Sequence, residues 1–298
     1  SGFRAPDPFF LVEMGGKTTL LLSPLEISRA RKEARADEMV LFDKFLKRGE
    51  SAAQGLSRFL KARKITEVIA PHSFPHGVAR ILGEIVTLRD GGHSLYQARA
   101  RKTKKEIVAI TAAQRATEDA LSAAIAFLRA CAIKKDRVYD GSRMVTSEII
   151  RRIIDDALWR CGYFASGTIV ACGPQAADPH RMGSGPIVPR APIVIDIFPV
   201  SLDTHYWADM TRTFFKGEPA KPYLKMYEAV LAVQEQGIAA ARAGADGKNI
   251  YDGVRRYFDD AGYPTRIGGS SPEGFIHGLG HGVGIDIHEA PHLGARSE

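Results

Sequence analysis

Residues 275–290 read F-I-H-G-L-G-H-G-V-G-I-D-I-H-E-A and carry three of the chain's nine histidines, His277, His281 and His288. Neutral imidazole is the commonest protein metal ligand, and the interleaved glycines let backbone approach backbone or a ligand closely. A second anomaly lies upstream, where Asp196 interrupts the apolar run Ile193-Val194-Ile195-Asp196-Ile197-Phe198. A carboxylate in such a run must be protonated, paired or bound to a cation, because an isolated buried charge is strongly unfavourable. Asp209 follows 13 residues later (209 − 196) on a second strand-like run. An antiparallel pairing with the two carboxylates directly opposite brings them to roughly 5 Å on one face, where they repel unless a cation lies between them. Thr211 and Thr213 share that face with Asp209 and extend a polar strip. The competing readings are a surface ion pair between Asp209 and Arg212, and histidines satisfied by hydrogen bonds inside a core.

His277 and His281 have the same parity, so an extended chain turns both to one face. His288 has the opposite parity and joins them only through a bend or bulge, which Gly278, Gly280, Gly282 and Gly284 permit. Together these residues predict a metal site of carboxylate and imidazole. His288-Glu289-Ala290-Pro291-His292 also matches the H-E-x-x-H pattern of zinc peptidases. That pattern works only on a helix. Pro291 would sit inside that helix and the preceding residues alternate like a strand, so the helical zinc motif is rejected.

The elements that must position these residues belong to a chain of 298 residues, long enough for two domains with separate cores. Its 45% hydrophobic and 25% charged residues are ordinary for a soluble globular protein. The longest apolar stretch, residues 120–133, carries Arg129 and is too short and polar to span a bilayer. Ser1-Gly2-Phe3-Arg4 lacks the apolar segment of a secretory signal, and without a leading Met it reads as an added or truncated start. Cys131, Cys161 and Cys172 are scattered and show no C-x-x-C spacing. That excludes a disulfide framework and a thiolate zinc site and points to a reducing cytoplasm. The net charge of +7 is dispersed over pairs such as Arg101-Lys102, Lys104-Lys105, Arg151-Arg152 and Arg255-Arg256 without aromatic interleaving. These pairs read as solvated helix faces, not as a nucleic-acid surface.

Residues 9–14 and 18–22, joined through Gly15-Gly16, predict a hairpin. Helices over 25–47, 52–63 and 77–85 with a strand over 65–70 complete a small α/β domain, residues 1–100, in which His72, His76 and His93 read as surface or packing residues. Gly91-Gly92 and the basic stretch to Lys105 mark the boundary. Residues 101–298 then predict a helix over 106–129, a second capped by Thr146 and closed by Gly162, and strands over 167–172, 191–198 and 208–215. A helix over 222–242 and another from Asp246 to Gly262 precede the histidine segment. Arg151-Arg152-Ile153-Ile154-Asp155-Asp156-Ala157 parallels Arg255-Arg256-Tyr257-Phe258-Asp259-Asp260-Ala261, and each copy is followed by Gly-Tyr. The parallel predicts a duplicated half-domain with the site between the halves.

Ile195-Asp196, Ala208-Asp209-Met210-Thr211-Arg212-Thr213-Phe214, the H-G-L-G-H-G-V-G of residues 277–284 and Ile287-His288-Glu289 resemble the pita-bread metallopeptidase family. That family includes aminopeptidase P, prolidase and methionine aminopeptidase. The resemblance covers nearly the whole chain and is strongest from Gly167 onward; the N-terminal unit is similar to the smaller domain of the aminopeptidase P and prolidase branch. It implies an α+β fold, a pita-bread catalytic domain with internal pseudo-twofold duplication preceded by a smaller α/β domain. It also implies a cytoplasmic, homodimeric exopeptidase that hydrolyses the bond before proline in Xaa-Pro peptides or dipeptides. By this resemblance Asp196, Asp209 and His281 are ligands of two divalent ions, manganese in the first place with cobalt or zinc as alternatives. The ions activate water and stabilise the oxyanion. His180, in Ala176-Ala177-Asp178-Pro179-His180, matches the family histidine near the scissile bond. His288 matches the one that assists proton transfer or carbonyl polarisation, and His277 the one lining the pocket for proline.

Three departures accompany the resemblance. Asp196-Ile197-Phe198 stands where the family writes Asp-x-Gly, and the spacing between the aspartates is longer, with extra residues around 202–205. The family's two glutamate ligands lie beyond Glu298. The expectation is that the natural protein continues, and that the chain as given binds metal weakly with negligible turnover. Two rival expectations keep the fold: a pita-bread module that binds a partner without catalysis, and a creatinase-like hydrolase of a small C–N bond.

Overall fold

The computed structural model describes residues 2–93, 95–268 and 271–295; Ser1 and Glu298, on which the expectations about the chain's ends rest, lie outside the described residues. The chain divides into two compact units, Ser1–Gln97 and Ala98–Glu298.

In the first unit, β1 (Phe10–Met14) and β2 (Lys17–Leu22) form the expected hairpin. Gly15 and Gly16 both take positive φ, 57° and 74°, as its two-residue turn requires. Helix α1 (Pro24–Glu33) follows, and then the chain departs from the expected single helix over 25–47. Residues Glu38–Leu41 form β3, parallel to β2, and Phe42–Phe45 form one 3₁₀ turn. The Asp37 carboxylate and backbone N–H engage Thr18, so the ladder beside β2 wins over helical propensity there. Helix α2 (Ala52–Ala62) starts in a full capping box between Ser51 and Gln54. It is followed by β4 (Glu67–Ala70), α3 (His76–Leu82) and β5 (Thr87–Asp90), with β4 and β5 parallel. Leu21, Phe59, Leu60 and Leu82 close the core. His72 pairs with Asp90 at 2.7 Å and its ring meets that of His93 at 4.5 Å. Among the described residues these groups do not reach metal-binding spacing.

The second unit opens with α4 (Lys104–Ala130), capped by a box of Thr103 and Glu106. A small antiparallel sheet that periodicity did not reveal, β6 (Ala132–Lys134), β7 (Arg137–Asp140) and β8 (Arg143–Met144), leads to α5 (Ser147–Arg160). Thr146 occupies the N-cap of α5 without a side-chain cap bond, and Gly162 follows the helix at φ 79°. The central sheet has the order β10 (Ile169–Cys172), β11 (Pro192–Ile197), β13 (Met210–Phe215), all antiparallel. Two short strands, β9 (Tyr163–Phe164) and β12 (Val200–Ser201), pair beside it. Ile193, Ile195 and Ile197 are fully buried beneath α4 and α5, each contributing about 1.5–3 kcal/mol. Strand β11 therefore has one core face, and Asp196 stands half-buried on the other.

Helices α6 (Lys221–Ala240) and α7 (Gly247–Asp260) join Phe275 and Leu279 in a second core around Val233, Val254 and Phe258. Helices α5 and α7 have 14 residues each, and Gly162 and Gly262 follow them at positive φ. The connections differ, since no counterpart of the β6–β8 sheet stands between α6 and α7 among the described residues. The last elements among the described residues are β14 (Gly280–Gly282) and β15 (Glu289–Leu293). Among the described residues no helix is long and apolar enough to cross a membrane.

Candidate metal centre

Asp196 pairs across the sheet with Thr211, not with Asp209 as the assumed register had it. Asp209 sits two residues before Thr211, so the two carboxylates are diagonal neighbours rather than direct partners. The shift is even, and parity is therefore kept. Thr211 fills the opposite position and its hydroxyl donates to Asp196 Oδ1 at 2.6 Å. Burial pushes the Asp196 carboxyl above its ordinary range, the Thr211 bond opposes this, and the Asp209 charge raises it further. Arg212 donates to the Thr211 carbonyl oxygen at 2.8 Å, while the ion-pair partner of Asp209 among the described residues is His281.

Strand β14 is short, and its register with β15 breaks between His281 and Gly282, which supplies the anticipated irregularity. His281 Nδ1 lies 3.0 Å from the Gly282 carbonyl oxygen and can only donate to it. In the neutral ring Nε2 is then a bare lone pair, and it faces Asp209 Oδ2 at 3.3 Å. Two acceptors at that distance need a positive charge between them, either a proton on the ring or a metal ion. The Asp209 bond accordingly raises the His281 pKa, against the opposing effect of burial. The His288 ring meets the His281 ring at 4.3 Å and 81°, and burial followed by the His281 charge lowers its pKa. Asp209, His281 and His288 each offer a ligand atom within 4.8 Å of the others. One carboxylate and two imidazoles suit a first-row divalent ion, and the 3.3 Å separation fits two donors each about 2.0–2.2 Å from one ion.

The other sequence-predicted residues take distinct places. Asp196 stands outside that three-residue group, although Asp209 and His281 both act on its charge. His180 lies after a 3₁₀ turn (Gly173–Ala177), and its charge is felt by Asp196 and His288. His277 is not on a strand as expected; its exposed ring stacks edge-on against Phe275 at 5.2 Å and its Nδ1 bonds the Gly278 carbonyl oxygen. In the H-E-x-x-H segment His288 ends a bend and the four residues after it are strand; none is helical.

Residues that the sequence reading passed over hold this arrangement. Arg151, read as part of a solvated pair, reaches from α5 to the Thr168, Met182 and Gly183 carbonyl oxygens and thereby clamps the segment that carries His180. Gln175 and Ser184 close the same segment with two bonds of 2.9 Å. Gly183 must be glycine: its φ is 79°, and an added Cβ would lie 1.8 Å from the Val170 oxygen. Nothing in helical periodicity distinguishes Arg151 from exposed Arg152. Glu289 is paired with Lys102 and Arg99, which outweigh the effect of burial and hold its carboxyl below the ordinary value.

Comparison with known proteins gives one consistent result. The model of metallopeptidase family M24 matches residues 108–298. The Xaa-Pro dipeptidase of Pyrococcus horikoshii is 26% identical over 296 residues, covering 97% of this chain and 74% of that protein. The Xaa-Pro dipeptidase of Pyrococcus furiosus is 36% identical over 135 residues, which span 45% of this chain but only 36% of that relative. Among solved structures, the prolidase from Pyrococcus furiosus superposes with a TM-score of 0.75 at 24% identity, covering 97% of this chain and 77% of that one. The Xaa-Pro dipeptidase from Bacillus anthracis gives 0.78 at 20% identity, with 99% and 76% covered.

Proposed function

This chain belongs to metallopeptidase family M24, in its prolidase branch, and we propose on that footing that it is a divalent-metal exopeptidase cleaving the bond before proline in Xaa-Pro peptides or dipeptides. The observation that carries the reading is the pair of acceptor atoms, Asp209 Oδ2 and His281 Nε2, facing each other at 3.3 Å. Asp209 and His281 hold metal, with Asp196 as a further ligand beside them; the centre is dinuclear, with manganese the preferred ion. Metal held by these residues would polarise the scissile carbonyl and lower the pKa of a bound water to about 7. Asp196 is held by the Thr211 hydroxyl so that one carboxylate oxygen accepts that bond and the other remains for a cation. His288, whose pKa is lowered, stays neutral near pH 7 and can take a proton or donate a hydrogen bond to substrate oxygen. His180 stands on the clamped segment as a second group at the scissile bond, and the exposed His277 ring, braced edge-on by Phe275, offers a face to a pyrrolidine ring. An imino acid at that place lacks an amide N–H, so shape must do what a hydrogen bond does elsewhere.

The reading extends to the architecture: a pita-bread domain of two related halves, a smaller domain before it over residues 1–100, a homodimer and a cytoplasmic location. The matching α5 and α7 lengths and their Gly-Tyr endings support the duplication. The test is hydrolysis of an Xaa-Pro dipeptide and an Xaa-Pro tripeptide by the natural gene product, with manganese and with chelator. Manganese-dependent release of the first residue is expected, and Asp209→Ala or His281→Ala should abolish it. Full activity in either variant would overturn the assignment.

A further inference from the structure

Glu289 is the residue that a helical zinc peptidase would use as its base, and here both of its oxygens are engaged elsewhere. Its side chain is 9% exposed; Lys102 Nζ reaches Oε1 and Arg99 Nη2 reaches Oε2, each at 2.6 Å. The same Arg99 nitrogen also meets Asp286 Oδ2 at 2.8 Å, and the Asp286 N–H approaches Glu289 Oε2 at 3.5 Å. Gly284 is buried against this carboxylate: an added Cβ would lie 2.2 Å from Glu289 Oε1. The carbonyl oxygen of Gly284 in turn accepts from the Trp207 N–H at 2.9 Å. Residues 284–288 are thus tied at their start by Trp207, in their middle by Arg99 and at their end by Glu289. The last of them is His288, whose ring meets that of His281 at 4.3 Å.

We infer that Glu289 is a positioning residue: anchored by Lys102 and Arg99, it fixes the turn over residues 284–288 and with it the direction in which His288 faces Asp209 and His281. The inference rests on the proposed function only in giving His288 a catalytic task. The anchoring itself is a property of the metal-free protein. A carboxylate that is itself nearly buried, with a cation on each oxygen, cannot swing without leaving its own charge unpaired, which is strongly unfavourable. The peptide bond joining residues 288 and 289 passes that constraint directly to the His288 backbone.

The test compares the unaltered protein with Glu289→Gln, which keeps the shape and removes the charge, and with Gly284→Ala, which keeps the charge and displaces the carboxylate. In the metal-free protein the imidazole carbon-bound proton resonance of His288 is expected to shift and broaden in both variants, while that of His277 stays in place. With manganese and an Xaa-Pro substrate, kcat should fall by about tenfold or more with KM changed by no more than about twofold. An unmoved His288 resonance in both variants would overturn the inference, as would a raised KM with unchanged kcat, which would put Glu289 against substrate instead. Should Glu289→Gln fail to fold, Lys102→Met removes one of the two anchors and is read in the same way. Absence of Xaa-Pro hydrolysis in the unaltered protein would count against the proposed function, while the resonance would still decide the anchoring.

Discussion

At the scale of single residues, Asp209 Oδ2 and His281 Nε2 face each other at 3.3 Å, a separation that calls for a proton on the ring or a metal ion between them. Asp209→Asn replaces one of those acceptors with an amide that can donate to Nε2. We therefore expect the metal-free variant to stay within about 1 kcal/mol of the original, yet to lose its response to manganese. Urea unfolding checks both: free metal at about 100 times Kd should stabilise the unaltered protein by about 2.7 kcal/mol and leave the variant unmoved. A metal-induced gain of the same size in Asp209→Asn would refute the pairing as a ligand site. The chemistry of these residues was legible in the sequence because residue type and glycine context do not depend on register. The register itself was not, because the pairing of β11 with β13 depends on the residues looping through β12, whose path is set by tertiary contacts. Thr211 opposite Asp196 is a consequence of that loop, and no spacing rule foretells it.

At the scale of elements, the helices hold the site through their ends and flanks. Arg151 projects from α5 to three carbonyl oxygens of the segment that carries His180. Arg151→Met should destabilise the protein by roughly 2 kcal/mol through lost charge-assisted bonds, seen as a lower urea midpoint. The N-terminus of α4 makes a second prediction. Thr103 N–H, the Thr103 hydroxyl and the Tyr206 hydroxyl hold the Glu106 carboxyl below its ordinary value, whereas burial and then Glu106 itself push Tyr206 up to about 12. A carboxyl depressed in the folded state stabilises above its unfolded pKa, and that contribution is lost as pH falls through the lower folded value. Glu106→Gln should therefore lower the melting temperature at neutral pH, and the gap should shrink below about pH 4.5; a constant gap would contradict it. Long helices and the Gly15-Gly16 hairpin could be read from sequence, since capping, periodicity and turn chemistry are local. The short strands β3 and β6–β9 could not, because each exists only through a partner strand.

At the scale of the whole molecule, each unit closes cores of its own, around Leu21 and Phe59 in one and around Ile195 and Val254 in the other. Separate cores are the mark of parts that can fold alone. The natural protein with residues 1–97 removed should accordingly keep a cooperative thermal transition and the manganese-dependent rise in stability. Loss of both would show that the first unit is needed for the second to fold. The dispersed positive charge that could have signalled nucleic acid is partly spent inside the protein, Arg99, Lys102 and Arg151 all being turned to internal partners. Membership of metallopeptidase family M24 rests on the match over residues 108–298. The metal centre we propose is the convergence of Asp209, just ahead of β13, with the rings of His281 on β14 and His288 in the bend before β15. Paramagnetic resonance of Mn(II) tests that convergence most directly. Titrating the protein into Mn(II) should quench the free-ion signal to saturation, and Asp209→Ala or His281→Ala should restore it; quenching that survives both substitutions would contradict the account.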